Sequence, residues 1–371
     1  MKLKWLGGGA ILVLGGVLVV LQEYANPDSE HDAAANSMQQ PVLLGAGLPD
    51  DPASLKRDEL EFTPPEPDEL QRAAPAVTEP AEVIGDSLSS AQSSGLADVL
   101  VAAAALKAEG KADEAAQLLR DAMQTSQSSK DVARAGLFLA PLTTDLSERR
   151  RLLTVALSKD VVIGAEYEDA GQMLRELNHN PLNSLHPLVK LSRYTVASGD
   201  NLWTLCNKGF PAQFGVSPEV GLMMLVNGLS ADTLRVGQVL LVPTAPLRLE
   251  VQTRRHSLTA WLGDVALATY RVGLGREGRT PRTNFTVEVR QEQPPWFSNG
   301  RIIPYGDPRN VLGTRWLGFD DQPGASGFGI HGTSDPESIG MDRSMGCIRL
   351  RNAEVEELFE YVARGTTVAI L

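Results

Sequence analysis

The 371-residue chain is long enough for two or three domains, and 43% hydrophobic residues are enough to build cores. A formal net charge of −12 excludes nucleic acid as the main partner, and two cysteines exclude a disulfide framework. The charge is local: Gln22 to Ser90 carries 15 acidic and 3 basic residues, so the rest of the chain is near neutral.

Lys2 and Lys4 precede an apolar run from Trp5 to Leu21. Its 17 residues are at the lower limit for crossing a bilayer as a helix. The lysines should stay on the cytoplasmic side, which puts the remaining chain outside. Residues 1–21 therefore read as an inner-membrane anchor or a signal segment. The uncleaved anchor is favoured because no small-x-small site follows at Gln22–Tyr24. Residues 22–92, with nine prolines and an acidic excess, read as a disordered tether that cannot build a core.

Residues 93–180 read as helical. Leu96, Leu100 and Leu106 lie on an alanine-rich stretch that Gly110 breaks. Ala115, Leu118, Leu119, Ala122 and Met123 form a second amphipathic run, and 34 residues later Leu152, Leu153, Ala156 and Leu157 repeat it. The period resembles a tetratricopeptide (TPR)-like hairpin. Two readings stay open: a small helical spacer, or a repeat that binds a protein partner. A further helix is expected from Glu166 to Leu177, ended by Asn180-Pro181.

Residues 194–243 open with Tyr194-Thr-Val-Ala-Ser-Gly199-Asp200 and close with Gly237-Gln238-Val-Leu-Leu-Val-Pro243. Both ends resemble the LysM domain, whose fold is βααβ and which binds N-acetylglucosamine-containing glycans. The segment from Cys206 to Phe214 is longer than usual for it. By the match, Gly199, Asp200 and Asn227 border the glycan groove, although Asp200 reads equally well as a helix cap. Cys206 reads as buried packing.

Residues 248–371 read as mainly β. Leu249 and Val251 alternate with polar residues, and Ser257–Leu262 and Val265–Val272 flank the hairpin signal Gly263-Asp264. Phe285-Thr-Val-Glu-Val alternates again. One helix is expected, capped by Asn352 and ended by Gly365, before a last strand at Thr366–Leu371.

The chemistry concentrates in two strings, His331-Gly332-Thr333 and Ser344-Met345-Gly346-Cys347-Ile348-Arg349-Leu350. A thiol with a nearby imidazole suffices for nucleophilic acyl transfer. Cys347 needs a base to become a thiolate; His331, with an ordinary pKa near ~6.5, can take that proton and return it to a leaving amine. No carboxylate is placed to orient the imidazole, although Asp335 and Asp342 lie between the strings, and the Gly332 carbonyl is a plausible orienter. Gly346 allows a tight turn, after which the N–H groups of Gly346 and Cys347 could face an oxyanion. Arg349 could lower the thiol pKa or hold a substrate carboxylate. Ser344 reads as a hydrogen-bonding neighbour, and Met345, Ile348 and Leu350 as packing. Tyr305, Trp296 and Trp316 are candidate cleft-lining aromatics.

These strings resemble the signature of the L,D-transpeptidase catalytic domain (YkuD type). Thr280-Pro281 with Phe285, and Asn310-Val-Leu-Gly313-Thr-Arg315-Trp316, resemble further pieces of it in the same order. Many members carry histidine where this chain has Met345; Thr283 and Val311 also depart from the pattern. The resulting fold class is multidomain: an N-terminal membrane helix and disordered linker, an α-helical TPR-like segment, a βααβ LysM module and a mainly-β L,D-transpeptidase domain.

The resemblance implies peptidoglycan stem peptides as substrate. Cys347 would attack the carbonyl of the third residue, a diamino acid, of a donor tetrapeptide, and His331 would protonate the departing D-alanine. A second stem's amine would resolve the thioester as a 3→3 crosslink. No metal or cofactor is implied. Water as acceptor would give an L,D-carboxypeptidase, and a protein amine would attach a protein to the wall. A catalytically silent wall-binding protein is the alternative of a different class.

Overall fold

The computed structural model describes residues 10–14, 17–21, 90–298 and 301–371. The expected linker at 22–92 falls almost wholly outside the described residues. The chain divides into two units, Met1–Ala81 and Glu82–Leu371. In the first, strands β1 (Ala10–Leu14) and β2 (Val17–Leu21) pair antiparallel. The helix expected over residues 5–21 lies partly outside the described residues, and those described there are strands. Among the described residues, no helix is long and apolar enough to cross a membrane.

The second unit begins with five helices: α1 (Ser90–Ala108), α2 (Ala112–Thr125), α3 (Ser129–Leu139), α4 (Leu146–Ser158) and α5 (Glu166–Asn178). The 34-residue period is real in space, since α2 and α4 begin at Ala112 and Leu146. Asp145 caps α4 by accepting the N–H groups of Ser147 and Glu148. A short helix, α6 (Pro181–Ser184), leads into the next module.

That module pairs β3 (Leu191–Thr195) antiparallel with β4 (Val239–Pro243), enclosing α7 (Leu202–Thr204), α8 (Phe210–Phe214) and α9 (Val220–Asn227). Between α7 and α8, Leu205–Gly209 forms a π-helical turn. The unusual length after Cys206 is absorbed there, as an extra residue in a helix commonly is.

The remaining chain forms a mixed sheet of eight strands in the order β15-β13-β12-β9-β16-β5-β6-β7. The strands are β5 (Leu247–Gln252), β6 (Ser257–Leu262), β7 (Val265–Arg271), β9 (Asn284–Glu292), β12 (Arg315–Phe319), β13 (Gly329–His331), β15 (Ile348–Arg349) and β16 (Thr367–Ile370). Two small sheets accompany it. One pairs β8 (Leu274–Gly275) with β14 (Asp342–Ser344); the other is the hairpin of β10 (Trp296–Ser298) and β11 (Arg301–Ile303). Helix α10 (Asn352–Tyr361) lays Val355, Leu358 and Phe359 on the core with Leu249, Phe285, Ile330 and Ile348.

The helical region is not a detached spacer. Trp261 of β6 and Ala266 of β7 belong to the core of the five helices. Arg150, fully buried, donates to the Ala266 carbonyl (3.0 Å) and to Asn178 Oδ1 (2.7 Å), and Asn178 donates to the Leu267 carbonyl. Strand β7 lies at the end of the sheet, and these side chains satisfy its free edge. The signal was in the sequence: Val265-Ala-Leu-Ala-Thr-Tyr does not alternate, as befits a strand buried on both faces. On the other side, Glu219 of the LysM-like module pairs with Arg290 of β9 at 2.6 Å, and Gly221 packs against the Glu360 carbonyl of α10.

Candidate active site

Register brings the two strings together. Strands β13 and β15 pair in parallel, with Ile330 opposite Ile348 and His331 opposite Arg349. Strand side chains alternate between faces, so Ile330, Ile348 and Leu350 point into the core, where all three are fully buried. His331, Cys347 and Arg349 share the opposite face. Strand β12 extends the arrangement, since Trp316 lies opposite His331 and Gly318 opposite Gly329. One row across the strands is Trp316–His331–Arg349; the next is Gly318–Gly329–Cys347.

The glycines of the second row have a physical reason. The Trp316 indole lies over them: a Cβ on Gly318 would sit 2.5 Å from Trp316 Nε1, and one on Gly329 2.8 Å from its ring. The indole is 5.8 Å from the His331 ring, centroid to centroid, and tilted to it. This packing helps leave His331 only 3% exposed.

His331 Nδ1 meets the Gly332 carbonyl at 2.5 Å. A carbonyl only accepts, so Nδ1 carries the hydrogen and Nε2 keeps its lone pair. Burial lowers the His331 pKa to about 4, against the Gly332 and Leu312 carbonyls, which favour the charged ring; Arg349 adds to the lowering. The ring is thus a neutral base with a fixed tautomer. Its orienter is the Gly332 carbonyl, whereas Asp342 is bonded to His256 (2.9 Å).

Cys347 as a whole residue is half-buried. Burial pushes its pKa above the usual cysteine value; the Gly329 N–H and Arg349 pull it down, and burial wins. Arg349 is itself half-buried, its Nε has no hydrogen-bond partner, and it joins no ion pair among the described residues. Ser344 is buried; its Oγ donates to the Cys347 carbonyl (2.6 Å) and accepts the Gly346 N–H (3.0 Å). The Gly346 N–H is therefore spent, contrary to its expected place facing an oxyanion, while the Cys347 N–H has no acceptor among the described residues. Gly346 has φ of +135°, and a Cβ there would run into the Phe328 ring. No other residue fits that turn.

Other expectations differ. Met345 is 65% exposed rather than packed, and Arg276 Nη2 lies 2.9 Å from its sulfur. Tyr305 is exposed on the turn after β11 and makes no hydrogen bond or ring contact with His331 or Cys347. Trp296 lies in the β10–β11 hairpin. Asn352 does not cap α10: the cap residue is Arg351, whose N–H donates to Glu354. Asp200 accepts Tyr194 Oη–H (2.8 Å) and the Ala197 N–H (2.7 Å). Asn227 is tied to Met223 and, twice, to Leu241. Both are bonded inside the module, although Asp200 Oδ1 takes no partner among the described residues; Asn201, not Asp200, caps a helix, and Gly199 is a turn residue with φ of +90°. Trp203, two residues after that cap, is 63% exposed on the module's surface, a position no motif singles out.

Comparison with known proteins places both domains in families. The family model of the L,D-transpeptidase catalytic domain matches residues 246–370, and that of the LysM domain matches residues 194–243. A Bacillus subtilis protein named as the L,D-transpeptidase YqjB is 40% identical over 123 residues, which are 32% of this chain and 68% of that protein. One from Bacillus licheniformis, named as the L,D-transpeptidase YkuD, is 31% identical over 184 residues, 48% of this chain and 97% of its own length. This chain belongs to the L,D-transpeptidase family. Among solved structures, an L,D-transpeptidase from Xylanimonas cellulosilytica aligns with TM-score 0.27 and 20% identity, over 34% of this chain and 61% of that one. The described part of this L,D-transpeptidase thus joins a helical region, a LysM domain and the mainly-β catalytic domain.

Proposed function

We propose that this family member crosslinks peptidoglycan stems through a thioester on Cys347, with the LysM domain holding the glycan. The observation that carries the reading is the β13–β15 register, which sets Cys347, a tautomerically fixed His331 and an unpaired Arg349 on one face of the sheet. His331 Nε2 takes the thiol proton as sulfur attacks the carbonyl of the third, diamino acid residue of a tetrapeptide stem. The C–N bond to D-alanine breaks, and the imidazolium returns the proton to the leaving amine. The side-chain amine of a second stem then attacks the thioester, losing its proton to His331, and Cys347 leaves with a 3→3 crosslink formed. The Cys347 N–H faces the developing oxyanion. Arg349 holds a stem carboxylate, Ser344 fixes the Gly346 turn, Trp316 walls the imidazole, and the exposed Tyr305 is a candidate contact for the rest of the stem.

Asp200 and Asn227 are bonded inside the module and border the groove, and the exposed Trp203 joins them as a glycan-contacting residue, where a flat aromatic face suits the apolar face of a sugar ring. The domains suit the cell envelope, and the apolar stretch behind Lys2 and Lys4 is the segment that would take the chain there, as an inner-membrane anchor or a cleaved signal. Mass spectrometry of the mature N-terminus distinguishes these two.

The purified chain incubated with disaccharide-tetrapeptide should yield, by mass spectrometry, a dimer lacking one D-alanine, and Cys347→Ala should not. Tripeptide alone would make water the acceptor. Folded protein giving neither product nor a covalent adduct would favour a silent wall-binding role.

A further inference from the structure

We infer that Asn352, outside the Gly-Cys string and on a different element from either candidate catalytic residue, is a positioning residue that fixes the tautomer and direction of the His331 ring. Its Oδ1 accepts two backbone N–H groups, from Thr314 (3.3 Å) and Thr333 (3.2 Å). An amide oxygen has two lone pairs, so these donors satisfy it fully. The two segments it joins carry the carbonyls that act on the imidazole. Gly332, next to Thr333, accepts from Nδ1, and the Leu312 carbonyl, two residues before Thr314, favours the charged form of the ring.

The glycines show that the arrangement was built around this oxygen. Gly313 has φ of +65°, and a Cβ on either Gly313 or Gly332 would overlap Asn352 Oδ1. Two backbone segments therefore close on one side-chain atom with no room to spare. Asn352 is itself held at the first turn of α10. Arg351 before it pairs with Glu168 of α5 at 2.9 Å, and the Arg351 N–H is bonded to Glu354. Removing Oδ1 leaves two N–H groups without an acceptor and lets the 312–314 and 332–333 segments shift apart. Nδ1 then loses its fixed partner, and the ring can populate the tautomer in which Nε2 carries the hydrogen and cannot accept the thiol proton.

The inference rests on His331 being the base, so its test reads the ring directly as well as the rate. In the full chain, Asn352→Leu and Asn352→Asp are compared with wild type for tetrapeptide crosslinking, for melting temperature, and for the His331 tautomer by nitrogen-15 NMR. Asn352→Leu should lower kcat by about 10- to 100-fold with KM within about 3-fold, the size of a small misplacement of a reacting group. Its His331 should show a mixture of tautomers where wild type shows Nδ1–H alone. Asn352→Asp keeps the acceptor and should stay within about 5-fold of wild type with the same tautomer. If the leucine variant does not fold, Asn352→Ala is read by the same measurements. A folded variant with kcat within about 3-fold of wild type, or with reduced kcat and an unchanged tautomer, overturns the inference. His331→Gln separates the two levels: full activity in that variant sinks the assigned base, whereas an inactive His331→Gln beside a normal Asn352→Leu sinks only the role of Asn352.

Discussion

The chain's two cysteines occupy opposite kinds of surroundings. Cys206 is 3% exposed in the LysM core, among Leu202, Phe210, Met223 and Leu240. Burial pushes its pKa up to about 12, and the charge of Glu219 pushes the same way. Cys347 is also raised by burial, but Gly329 and Arg349 oppose the rise, and the residue as a whole is only half-buried. Desolvation thus acts on both thiols alike and does not mark the proposed nucleophile. What differs is the sign of the neighbouring charge, the access, and an imidazole with a free lone pair. The same contrast extends to polar groups: those of the LysM turn are paired, whereas the candidate catalytic face leaves Arg349 Nε and the Cys347 N–H unmet among the described residues.

The largest test of this contrast is a pair of substitutions. Cys347→Ala should abolish crosslinking, a fall of about 10³-fold or more measured by product formation, while Cys206→Ala should leave turnover within about 3-fold. Comparable losses in both would end the distinction between the two sites. His331→Gln comes next, with an expected drop of about 10²- to 10⁴-fold in kcat/KM.

Acid should reveal the buried base. The folded-state pKa of His331 is lowered from 6.5 to about 4, so the unfolded chain binds the extra proton first. The stability tied to the neutral ring is fully present above pH 6.5 and is lost as pH falls towards 4, about 3 kcal/mol in all. Urea unfolding across that range should show a steeper decline in wild type than in His331→Gln; parallel curves would mean the ring is not desolvated.

A further measurement sharpens the charge argument. Arg349→Leu removes the cation that opposes burial at Cys347, so thiol alkylation near pH 7 should slow by about 10-fold, with Cys206 unreactive in both proteins. An unchanged rate would assign the lowering to Gly329 alone. The smallest effect is on stability at the other cysteine: Cys206→Ala should cost about 1 kcal/mol by thermal melting, the price of a small cavity.

Much of this was legible because it is short-range. The Gly263-Asp264 turn set the β6–β7 hairpin, and the 34-residue period set the helix pairs. Glu166 opened α5 where expected. The Cys347 and His331 strings stood out because few side chains can perform acyl transfer. In each case the information lies within a few turns or one strand pair, where alternation, caps and turn residues act directly on the local backbone.

Tertiary structure alone decided the rest. The face shared by Cys347 and His331 depends on the parallel register of β13 and β15, which no turn between them specifies. The internal bonds of Asp200 and Asn227 depend on which groups of the module need partners, and folding ties one to Tyr194 and the other to Leu241. Asn352 has the composition of a cap, yet two loops distant in sequence compete for its amide and win. The helical region was read as a possible spacer because Arg150 and Trp261 reveal their partners only when β7 lies beside α4. Polar satisfaction and close packing are settled among all neighbours at once, and those neighbours come from segments up to 183 residues apart, as Glu168 and Arg351 do.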